Sequence, residues 1–326
     1  MAIHPMWDNY KEIKNDLHEV IKIIEENVTI SEKNVQKYVK DMLTSGGKLL
    51  RPAYFLMCAK MGPDYDSQEA PSIAAAIELL HIATLIHDDV IDDAKLRRGV
   101  PTIKEKFGNN YAIYTGDYLF AVCFKILSKN AKNLSNIEFN TGMMEKILAG
   151  ELNQLNNKYN QKITIREYLK QISGKTAELF ASSCYLGAET SNASQNMKNL
   201  VRKIGRNIGM AFQILDDILD YTQDQATIGK PVLTDIRQGI YSLPVIYAIQ
   251  KNEEQMLAYL SKKEHIREQE LEAVLNLILK SGAIESAKLL AKKYTDKSLT
   301  LIRKLPEGEY KEQMREITMS LLNRIT

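Results

Sequence analysis

The chain has 326 residues, of which 44% are apolar, and this is enough apolar material to bury a substantial core. The 43 basic and 41 acidic residues are dispersed and leave a net charge of +2, which argues against nucleic-acid binding. With only 16 glycines and 8 prolines, the composition also disfavours a loop-rich β architecture.

Helical patterns recur along the chain, for example over residues 17–24 and 271–278, and no alternating run is long enough to predict a sheet. Turn-like breaks are predicted near residues 28–31, 62–67, 99–102, 130–136, 160–164, 189–194, 223–231 and 305–309. We therefore predict an all-α fold of about ten or more helices, organised as a single domain over residues 1–326 with no internal linker.

The N-terminal residues and the cysteines predict a cytoplasmic protein. Asp8, Glu12 and Lys14 interrupt the apolar residues near the N-terminus, so no signal peptide is predicted. No apolar run is expected to reach the length of a transmembrane span. The three cysteines are widely spaced and odd in number, which indicates reduced thiols and no zinc site.

Two acidic clusters share one aspartate spacing, and they are Asp88-Asp89-Val90-Ile91-Asp92 and Asp216-Asp217-Ile218-Leu219-Asp220. On a helix the first and fifth residues of each cluster lie about 40° apart, so each cluster presents two carboxylates on one face. The apolar run that leads into the first cluster predicts that its carboxylates are not on a free surface. There, crowding raises carboxylate pKa values unless cations lie between them.

Oxygen ligands on separate helices fit Mg²⁺, which completes its coordination with water and phosphate oxygens. The acidic, glycine-containing loop of an EF-hand is missing around both clusters. One such cluster alone is typical of a solvated helix end. Its repetition favours a metal site with a phosphorylated ligand.

Basic residues stand beside glycine in four turn-like segments, which are Gly46-Gly47-Lys48-Leu49-Leu50-Arg51-Pro52, Arg97-Arg98-Gly99, Gly174-Lys175-Thr176 and Gly229-Lys230-Pro231. Glycine allows backbone amides to approach an anion, arginine binds phosphate oxygens in a bidentate manner, and lysine is a mobile point charge. Each segment alone is typical of a solvated loop or a helix C-terminus. Together with the acidic clusters, they predict a diphosphate site.

His81 precedes Asp88 by seven residues and so falls on the same helix face. A lone histidine on an apolar helix is more often a core residue than a ligand. The shared face favours a place in the site.

From Gly46 to Pro244 the order of these motifs resembles the trans-isoprenyl (polyprenyl) diphosphate synthases, most of all the catalytic chain of the bacterial hexaprenyl and heptaprenyl enzymes. The acidic clusters resemble the two aspartate-rich motifs of the family, and residues 46–52 resemble its glycine-glycine-lysine motif. Residues 92–102 and the pair Gly116-Asp117 also follow the family pattern. Two positions depart from it: Leu49 replaces a common arginine, and Ile240 replaces a lysine of short-chain members, which argues against a close match to farnesyl diphosphate synthases.

The resemblance implies the isoprenoid synthase fold, a helical bundle around a central cavity, and head-to-tail condensation of isopentenyl diphosphate onto an allylic diphosphate. It implies Mg²⁺, with about three ions per site, and the ligands would be Asp88, Asp92 and Asp216, supported by Asp89 and Asp220. The catalytic residues would be Asp88, Asp92, Lys175 and Asp216. The allylic diphosphate residues would be Arg97, Lys175, Thr176, Gln213 and Lys230, and the isopentenyl diphosphate residues would be Lys48, Arg51, His81 and Arg98.

Product length is predicted from Ala83 and Thr84, one helical turn before the first acidic cluster. In the family, bulky aromatic residues there stop chain growth early. Small residues therefore predict a medium or long product of about six to eight isoprene units, which would supply a quinone side chain. The alternative is that Ala83 only packs against a neighbour and that Phe120 or Phe124 closes the pocket sooner, giving a farnesyl or geranylgeranyl product.

Three other interpretations are less favoured. Membrane prenyltransferases with paired aspartate motifs need several spanning helices. A terpene cyclase or head-to-head synthase would lack the isopentenyl diphosphate residues, and a regulatory subunit would have lost the aspartate clusters. The resemblance also implies a homodimer formed through helices around Asp117, or a heterodimer with a small non-catalytic subunit.

Overall fold

A computed structural model describes residues 3–44, 47–130, 134–222 and 233–322 of the chain. Over these residues the predicted all-α class is confirmed. The α-helices are α1 (Lys11–Asn27), α2 (Lys33–Thr44), α3 (Leu50–Lys60), α4 (Glu69–Ile91), α5 (Ile103–Phe107), α6 (Asn109–Lys129), α7 (Leu134–Asn156), α8 (Ile165–Ile172), α9 (Glu178–Thr190), α10 (Gln195–Thr222), α11 (Thr234–Arg237), α12 (Leu243–Lys251), α13 (Glu253–Leu260), α14 (Glu268–Lys280), α15 (Ala283–Ile302) and α16 (Glu309–Leu322).

Shorter elements complete the described chain. Pro5–Trp7 and Lys263–His265 form 3₁₀ turns, and Ser173–Ala177 forms a π-helix between α8 and α9. Two strands of two residues each, β1 (Leu96–Arg97) and β2 (Val100–Pro101), pair antiparallel. The sequence did not predict these strands, because two residues are too few to show an alternating pattern.

Most of the predicted breaks coincide with connections between helices, at 28–31, 62–67, 160–164, 189–194 and 305–309. The break at 99–102 contains β2. The break at 223–231 and the first part of the break at 130–136 involve residues outside the described ranges. α7 begins at Leu134, inside the second of these predicted breaks.

The residues fall into two compact units. Unit 1 comprises Met1–Gly142, Leu179–Arg202 and Leu305–Met314, and unit 2 comprises Met143–Glu178, Lys203–Lys304 and Arg315–Thr326. In unit 1, α4 is the central helix and packs against α1, α3 and α6. α1 presents a single apolar stripe to it, whereas α4 is buried around most of its circumference.

α4 corrects the expectation that no segment reaches the length of a membrane span. By length and composition alone, this 23-residue helix is apolar enough to cross a membrane. However, 72% of its most apolar window is buried inside the folded chain. This degree of burial is typical of a core helix, which is apolar on all sides because other helices surround it.

In unit 2, α12 packs against α13, α14 and α15. α8 begins with a capping box, in which the Thr164 hydroxyl accepts from the Glu167 N–H and the Glu167 carboxylate accepts from the Thr164 N–H. α8 then continues into the π-helix at Ser173. A π-helical turn inside a helix is rare and is often found at functional sites.

Candidate active site

The first acidic cluster lies at the C-terminal end of α4. Asp92 caps this helix, and its N–H donates to the Asp88 carbonyl over 2.8 Å, so the helical spacing of the two residues is retained. Both residues keep part of their surface exposed. The negative end of the helix dipole adds to their charge, so nearby cations are needed to offset it.

Asp89, between these two residues, is almost fully buried and binds Arg97. The Arg97 Nε donates to both carboxylate oxygens at 2.8 and 2.9 Å, and its Nη2 lies 2.7 Å from Oδ1. Such a charge-assisted contact is among the stronger hydrogen-bonded pairs in proteins. Asp89 and Arg97 therefore bind each other in this structure. Asp89 was predicted as a supporting metal ligand and Arg97 as a diphosphate ligand.

The hairpin of β1 and β2 orients Arg97 and Arg98. Its loop is Arg98-Gly99, and both residues have positive φ, at 52° and 80°, as a type I′ turn requires. A left-handed conformation is uncommon for an arginine. The turn brings the Arg98 guanidinium beside the glycine-glycine-lysine segment, where a Cβ on Gly47 would lie 3.1 Å from Arg98 Nη1.

The glycine-glycine-lysine segment is held by a buried tryptophan. Trp7 has no exposed surface, and its indole N–H donates to the Lys48 carbonyl over 2.8 Å. Leu49 then adopts a left-handed conformation, with φ of 49°, at the start of α3. On the first turn of α3 the Arg51 guanidinium stacks 4.7 Å from the centre of the Phe180 ring. Gly46 lies outside the described residues.

Arg51 and Arg98 lie close enough to His81 for their charges to act on its pKa. Burial lowers the pKa of His81 well below its usual range, and the charges of Arg51, Arg98 and Arg97 lower it further. The neutral form of the ring is therefore favoured, and a neutral imidazole can contact an anion only as a hydrogen-bond donor. Of the predicted isopentenyl diphosphate residues, unit 1 brings together Arg51, His81 and Arg98, and Lys48 precedes Arg51 by three residues.

Glu78 is a further member of this cluster that the sequence analysis missed. It is buried one helical turn before His81, and burial raises its pKa while Arg51 and Arg98 oppose that rise. Glu78, Asp89 and Arg98 line one small pocket of about 20 Å³. A glutamate inside an otherwise apolar helical run was the available signal, because a buried carboxylate requires a partner.

The second acidic cluster lies in α10. As in the first cluster, the second aspartate is buried and the other two keep exposed surface. Asp216 and Asp220 are exposed, whereas Asp217 is buried. Asp217 accepts hydrogen bonds from the Tyr168 hydroxyl at 2.6 Å and from Gln213 Nε2 at 2.8 Å. The prediction that the carboxylates of the first cluster lie away from a free surface is met by Asp89, whereas Asp88 and Asp92 keep part of their surface exposed.

Burial raises the pKa of Asp217 to about 7. The hydrogen bonds from Tyr168 and Gln213 oppose this rise, and the charges of Asp216 and Asp235 add to it. Asp217 therefore differs chemically from its exposed neighbours, which have the same side chain.

The π-helix positions Lys175 and Thr176. The Thr176 hydroxyl donates to Gln213 Oε1 over 2.6 Å, and Lys175 Nζ lies 2.8 Å from Glu151 Oε2. The π-helical backbone touches α7 where two glycines meet, since a Cβ on Gly150 would lie only 2.7 Å from the Lys175 nitrogen. Lys175, Thr176 and Gln213 are thus gathered in unit 2.

Lys230, the remaining predicted allylic diphosphate residue, lies outside the described residues. Glu151 and Tyr168 were missed by the sequence analysis. Glu151 follows Gly150 without a recognisable pattern, and Tyr168 is an aromatic residue on an ordinary amphipathic helix, so no sequence signal distinguished either residue.

The predicted chain-length residues differ in exposure. Ala83 has no exposed surface, whereas Thr84 is partly exposed and its hydroxyl donates to the His81 carbonyl over 2.7 Å. Phe120 stacks against His87 with ring centres 5.4 Å apart, and Phe124 is 40% exposed. Thr84 is therefore the position at which a larger side chain has space beside it.

The chemistry of the exposed carboxylates fits Mg²⁺. Within the described ranges, no group of three or more His, Cys, Asp or Glu residues could hold an ion without further ligands. Pairs of carboxylates one helical turn apart instead match the needs of Mg²⁺, which binds one or two carboxylates and takes its remaining oxygens from phosphate and water.

Comparison with known proteins identifies the family. A model of the polyprenyl synthetase family matches residues 32–278. The chain belongs to the polyprenyl synthetase family. The predicted resemblance is confirmed, as is the enzyme class, so this polyprenyl synthetase is a prenyltransferase.

Relatives of this polyprenyl synthetase include heptaprenyl diphosphate synthase component 2 of Geobacillus stearothermophilus, which is 36% identical over 97% of this chain and 98% of the relative. The crystal structure of geranylgeranyl pyrophosphate synthase from Lactobacillus brevis has a TM-score of 0.94 at 40% identity, covering 98% of this chain and 99% of that one. The crystal structure of heptaprenyl diphosphate synthase from Staphylococcus aureus has a TM-score of 0.92 at 33% identity. The match covers 96% of this chain and 99% of that one. These similarities confirm the isoprenoid synthase fold.

Proposed function

We propose that the chain catalyses the Mg²⁺-dependent head-to-tail condensation of isopentenyl diphosphate onto an allylic diphosphate. The product is a medium- or long-chain all-trans polyprenyl diphosphate of about six to eight isoprene units, used for quinone side chains. Family membership supports the reaction class. The heptaprenyl relative supports this length, and the nonaprenyl relative supports only a medium or long chain.

The observation that supports this reaction most is the cationic cluster beside the first acidic cluster. Arg51 and Arg98 surround the neutral His81, and Arg97 reaches the buried carboxylate of Asp89. Guanidinium groups bind diphosphate oxygens without a metal. A terpene cyclase or a head-to-head synthase has no use for an isopentenyl diphosphate site of this kind.

In this proposal residues 1–326 act as one synthase domain, and the aspartates of each acidic cluster would hold Mg²⁺ for the allylic diphosphate. The metal ligands are Asp88, Asp92 and Asp216, with Asp89 and Asp220 in support. About three Mg²⁺ ions bind, and they supply Lewis-acid stabilisation of the departing diphosphate. The protein otherwise acts by positioning and electrostatic stabilisation, since it needs no nucleophile of its own.

The remaining residues bind the two substrates. Lys48, Arg51, His81 and Arg98 hold isopentenyl diphosphate, while Arg97, Lys175, Thr176, Gln213 and Lys230 hold the allylic diphosphate. The bond between the allylic carbon and its diphosphate oxygen breaks, and the double bond of isopentenyl diphosphate attacks the resulting cation. The released diphosphate then takes a proton from the adduct, and a new double bond forms.

Chain length in this proposal depends on Thr84 and Ala83. Because Thr84 retains exposed surface, Thr84→Phe should shorten the product while the fold is retained. Ala83→Phe inserts a ring at a fully buried position and should also cost stability, so it is the weaker test. An unchanged product from Thr84→Phe would mean that the pocket is closed elsewhere, for example by Phe120 or Phe124. The similarity to the Lactobacillus brevis enzyme supports the alternative product of geranylgeranyl length.

We further propose a cytoplasmic homodimer formed through α6. This helix exposes Ile113, Tyr114 and Phe124, with 74% of the Tyr114 surface exposed, and such apolar surface favours a protein partner. The second possibility is a heterodimer with a small non-catalytic subunit. The Geobacillus relative is component 2 of a heptaprenyl diphosphate synthase, and this supports that possibility.

The decisive experiment incubates the purified chain alone with radiolabelled isopentenyl diphosphate, farnesyl diphosphate and Mg²⁺, and separates the dephosphorylated products by chromatography. We expect a series of prenols ending in one dominant long species, and no product when the metal is chelated. If no product forms, a small partner subunit and a different allylic primer are added in turn. Product that appears with the subunit indicates a two-component enzyme, and product that appears with the primer indicates a different primer requirement. Continued absence of product with both additions contradicts the proposed reaction.

A further inference from the structure

Four side chains of unit 2 form a continuous line of hydrogen bonds. The Tyr168 hydroxyl donates to Asp217 over 2.6 Å, Gln213 donates to the other carboxylate oxygen over 2.8 Å, and Thr176 donates to Gln213 over 2.6 Å. Tyr168 is only 2% exposed and Thr176 only 6%. Buried, fully connected polar side chains of this kind stabilise one arrangement of the surrounding backbone.

The direction of each hydrogen bond is determined by the residue types. Gln213 donates its amide N–H to Asp217, so its amide oxygen faces Thr176. Thr176 can satisfy that oxygen only by donating its hydroxyl proton. The orientation of the Thr176 side chain therefore depends on Asp217, which in turn is held by Tyr168.

The line of hydrogen bonds joins two segments of unit 2, which are α10 and the continuous helical stretch of α8 and the π-helix. Tyr168 lies on α8, Gln213 and Asp217 lie one turn apart on α10, and Thr176 lies in the π-helix next to Lys175. The π-helix contacts α7 at the Gly150 and Gly174 backbones, so its position is constrained on that side as well. The network constrains it from the side of α10.

We infer that Tyr168 is a positioning residue for prenyl transfer. Through Asp217 and Gln213 it fixes the position of the π-helical turn that contains Lys175 and Thr176. This inference rests on the proposed function only for the role of Lys175 and Thr176 in binding the allylic diphosphate. It assigns Asp217 a different task from its exposed neighbours, because its two oxygens are engaged with Tyr168 and Gln213.

The matched experiment compares Tyr168→Phe with Tyr65→Phe in the full chain. Both substitutions keep the ring and remove a hydroxyl that donates to a carboxylate, since Tyr65 donates to Asp16 over 3.0 Å. Tyr65 lies in unit 1 and has no hydrogen bond to the four-residue network. Hydrogen exchange of the substrate-free protein measures how readily the backbone of each segment opens to solvent, and it needs no bound substrate.

We expect peptides that cover residues 173–177 to exchange about tenfold faster in Tyr168→Phe, and to be unchanged in Tyr65→Phe. The KM for the allylic diphosphate should rise about tenfold in Tyr168→Phe, while the KM for isopentenyl diphosphate changes less than about twofold. In a double-mutant cycle with Thr176→Val, the two effects on the allylic KM should not add, because both act through one line of contacts.

Unchanged exchange at residues 173–177 would overturn the inference, and so would equal effects on both KM values or full additivity in the cycle. The exchange measurement needs no activity. If the wild-type chain makes no prenyl product even with a partner subunit and other allylic primers, the proposed function fails. The exchange result still decides whether Tyr168 positions the π-helix.

Discussion

The two acidic clusters have the same sequence spacing, but their buried carboxylates have different partners. In unit 1, Asp89 is bound by the charged guanidinium of Arg97. In unit 2, Asp217 accepts from Tyr168 and Gln213, which are both neutral. Of the three aspartates in each cluster, the first and third keep exposed surface and only the second is buried.

This difference shows how much of a carboxylate's chemistry depends on its partner. A guanidinium balances the charge of a buried carboxylate, whereas neutral donors solvate it without balancing it. Burial accordingly raises the pKa of Asp217 to about 7 despite two hydrogen bonds. The surroundings of the first cluster are cationic, while those of the second cluster combine neutral donors with further carboxylates.

The largest expected effect tests what the clusters have in common. Asp88→Ala and Asp216→Ala should each lower turnover by about a thousandfold, because each removes a metal-binding carboxylate that stabilises the departing diphosphate. Steady-state kinetics measure this loss, and circular dichroism checks that the fold is retained. Asp64→Ala, which removes an exposed carboxylate bonded to Asn192, is the control and should keep activity. Near-normal turnover in either variant removes that residue from the metal site.

The next substitution separates the two buried carboxylates. Asp89→Asn leaves Arg97 without its buried counter-charge and should lower the free energy of unfolding by about 3 kcal/mol. Asp217→Asn keeps an acceptor and removes no charged partner, so its cost should be about 1 kcal/mol. Urea denaturation of both variants makes the comparison. Equal losses would mean that the Arg97 pair has no special importance for stability.

Glycine substitutions test the two regions at the backbone. A Cβ at Gly150 would meet backbone atoms of Gly174 and Lys175 at 2.7–2.8 Å, so Gly150→Ala should cost about 2 kcal/mol and displace the π-helix. A Cβ at Gly47 would meet only the end of the flexible Arg98 side chain, and Gly47→Ala should cost less than about 1 kcal/mol. Thermal unfolding of the pair measures both values. A larger loss from Gly47→Ala than from Gly150→Ala would reverse this ranking.

The smallest expected effect concerns the cationic field in unit 1. The pKa of His81 is lowered by burial and by three arginines, so its ring should remain neutral at pH 6, which ¹⁵N chemical shifts can measure. A histidine whose folded pKa lies below its unfolded value of about 6.5 contributes stability that is lost as pH falls below that value. His81→Asn should therefore lose less stability than the wild type between about pH 7 and pH 5. A His81 ring that is already protonated at pH 7 would contradict the cationic cluster.

Helix periodicity predicted the all-α class, because each helix buries its own apolar stripe and the pattern is local. The same locality explains the errors. The strands of residues 96–101 are too short for a pattern, and α4 reads as apolar on all sides because other helices cover it. The sequence of α10 gave no sign that Asp216 and Asp220 are exposed while Asp217 is buried between them.

The site residues divide along similar lines. Spacing identified Asp88, Arg98, Thr176 and their neighbours, since helix geometry and glycine-containing turns are properties of short segments. Glu78, Glu151 and Tyr168 were missed. Each of them interacts in the site with a residue far away in the sequence. Tyr168, for example, donates its hydroxyl proton to Asp217.

The sequence by itself determined the helical class, the family and the aspartate and basic motifs, because these depend on residue type and on spacing within single segments. Only the tertiary structure decided which of those groups bind each other. It paired Asp89 with Arg97, lowered the pKa of His81, and attached the π-helical turn of Lys175 and Thr176 to Asp217. Burial and partner charge depend on distance in space, and distances between remote segments exist only once the chain has folded.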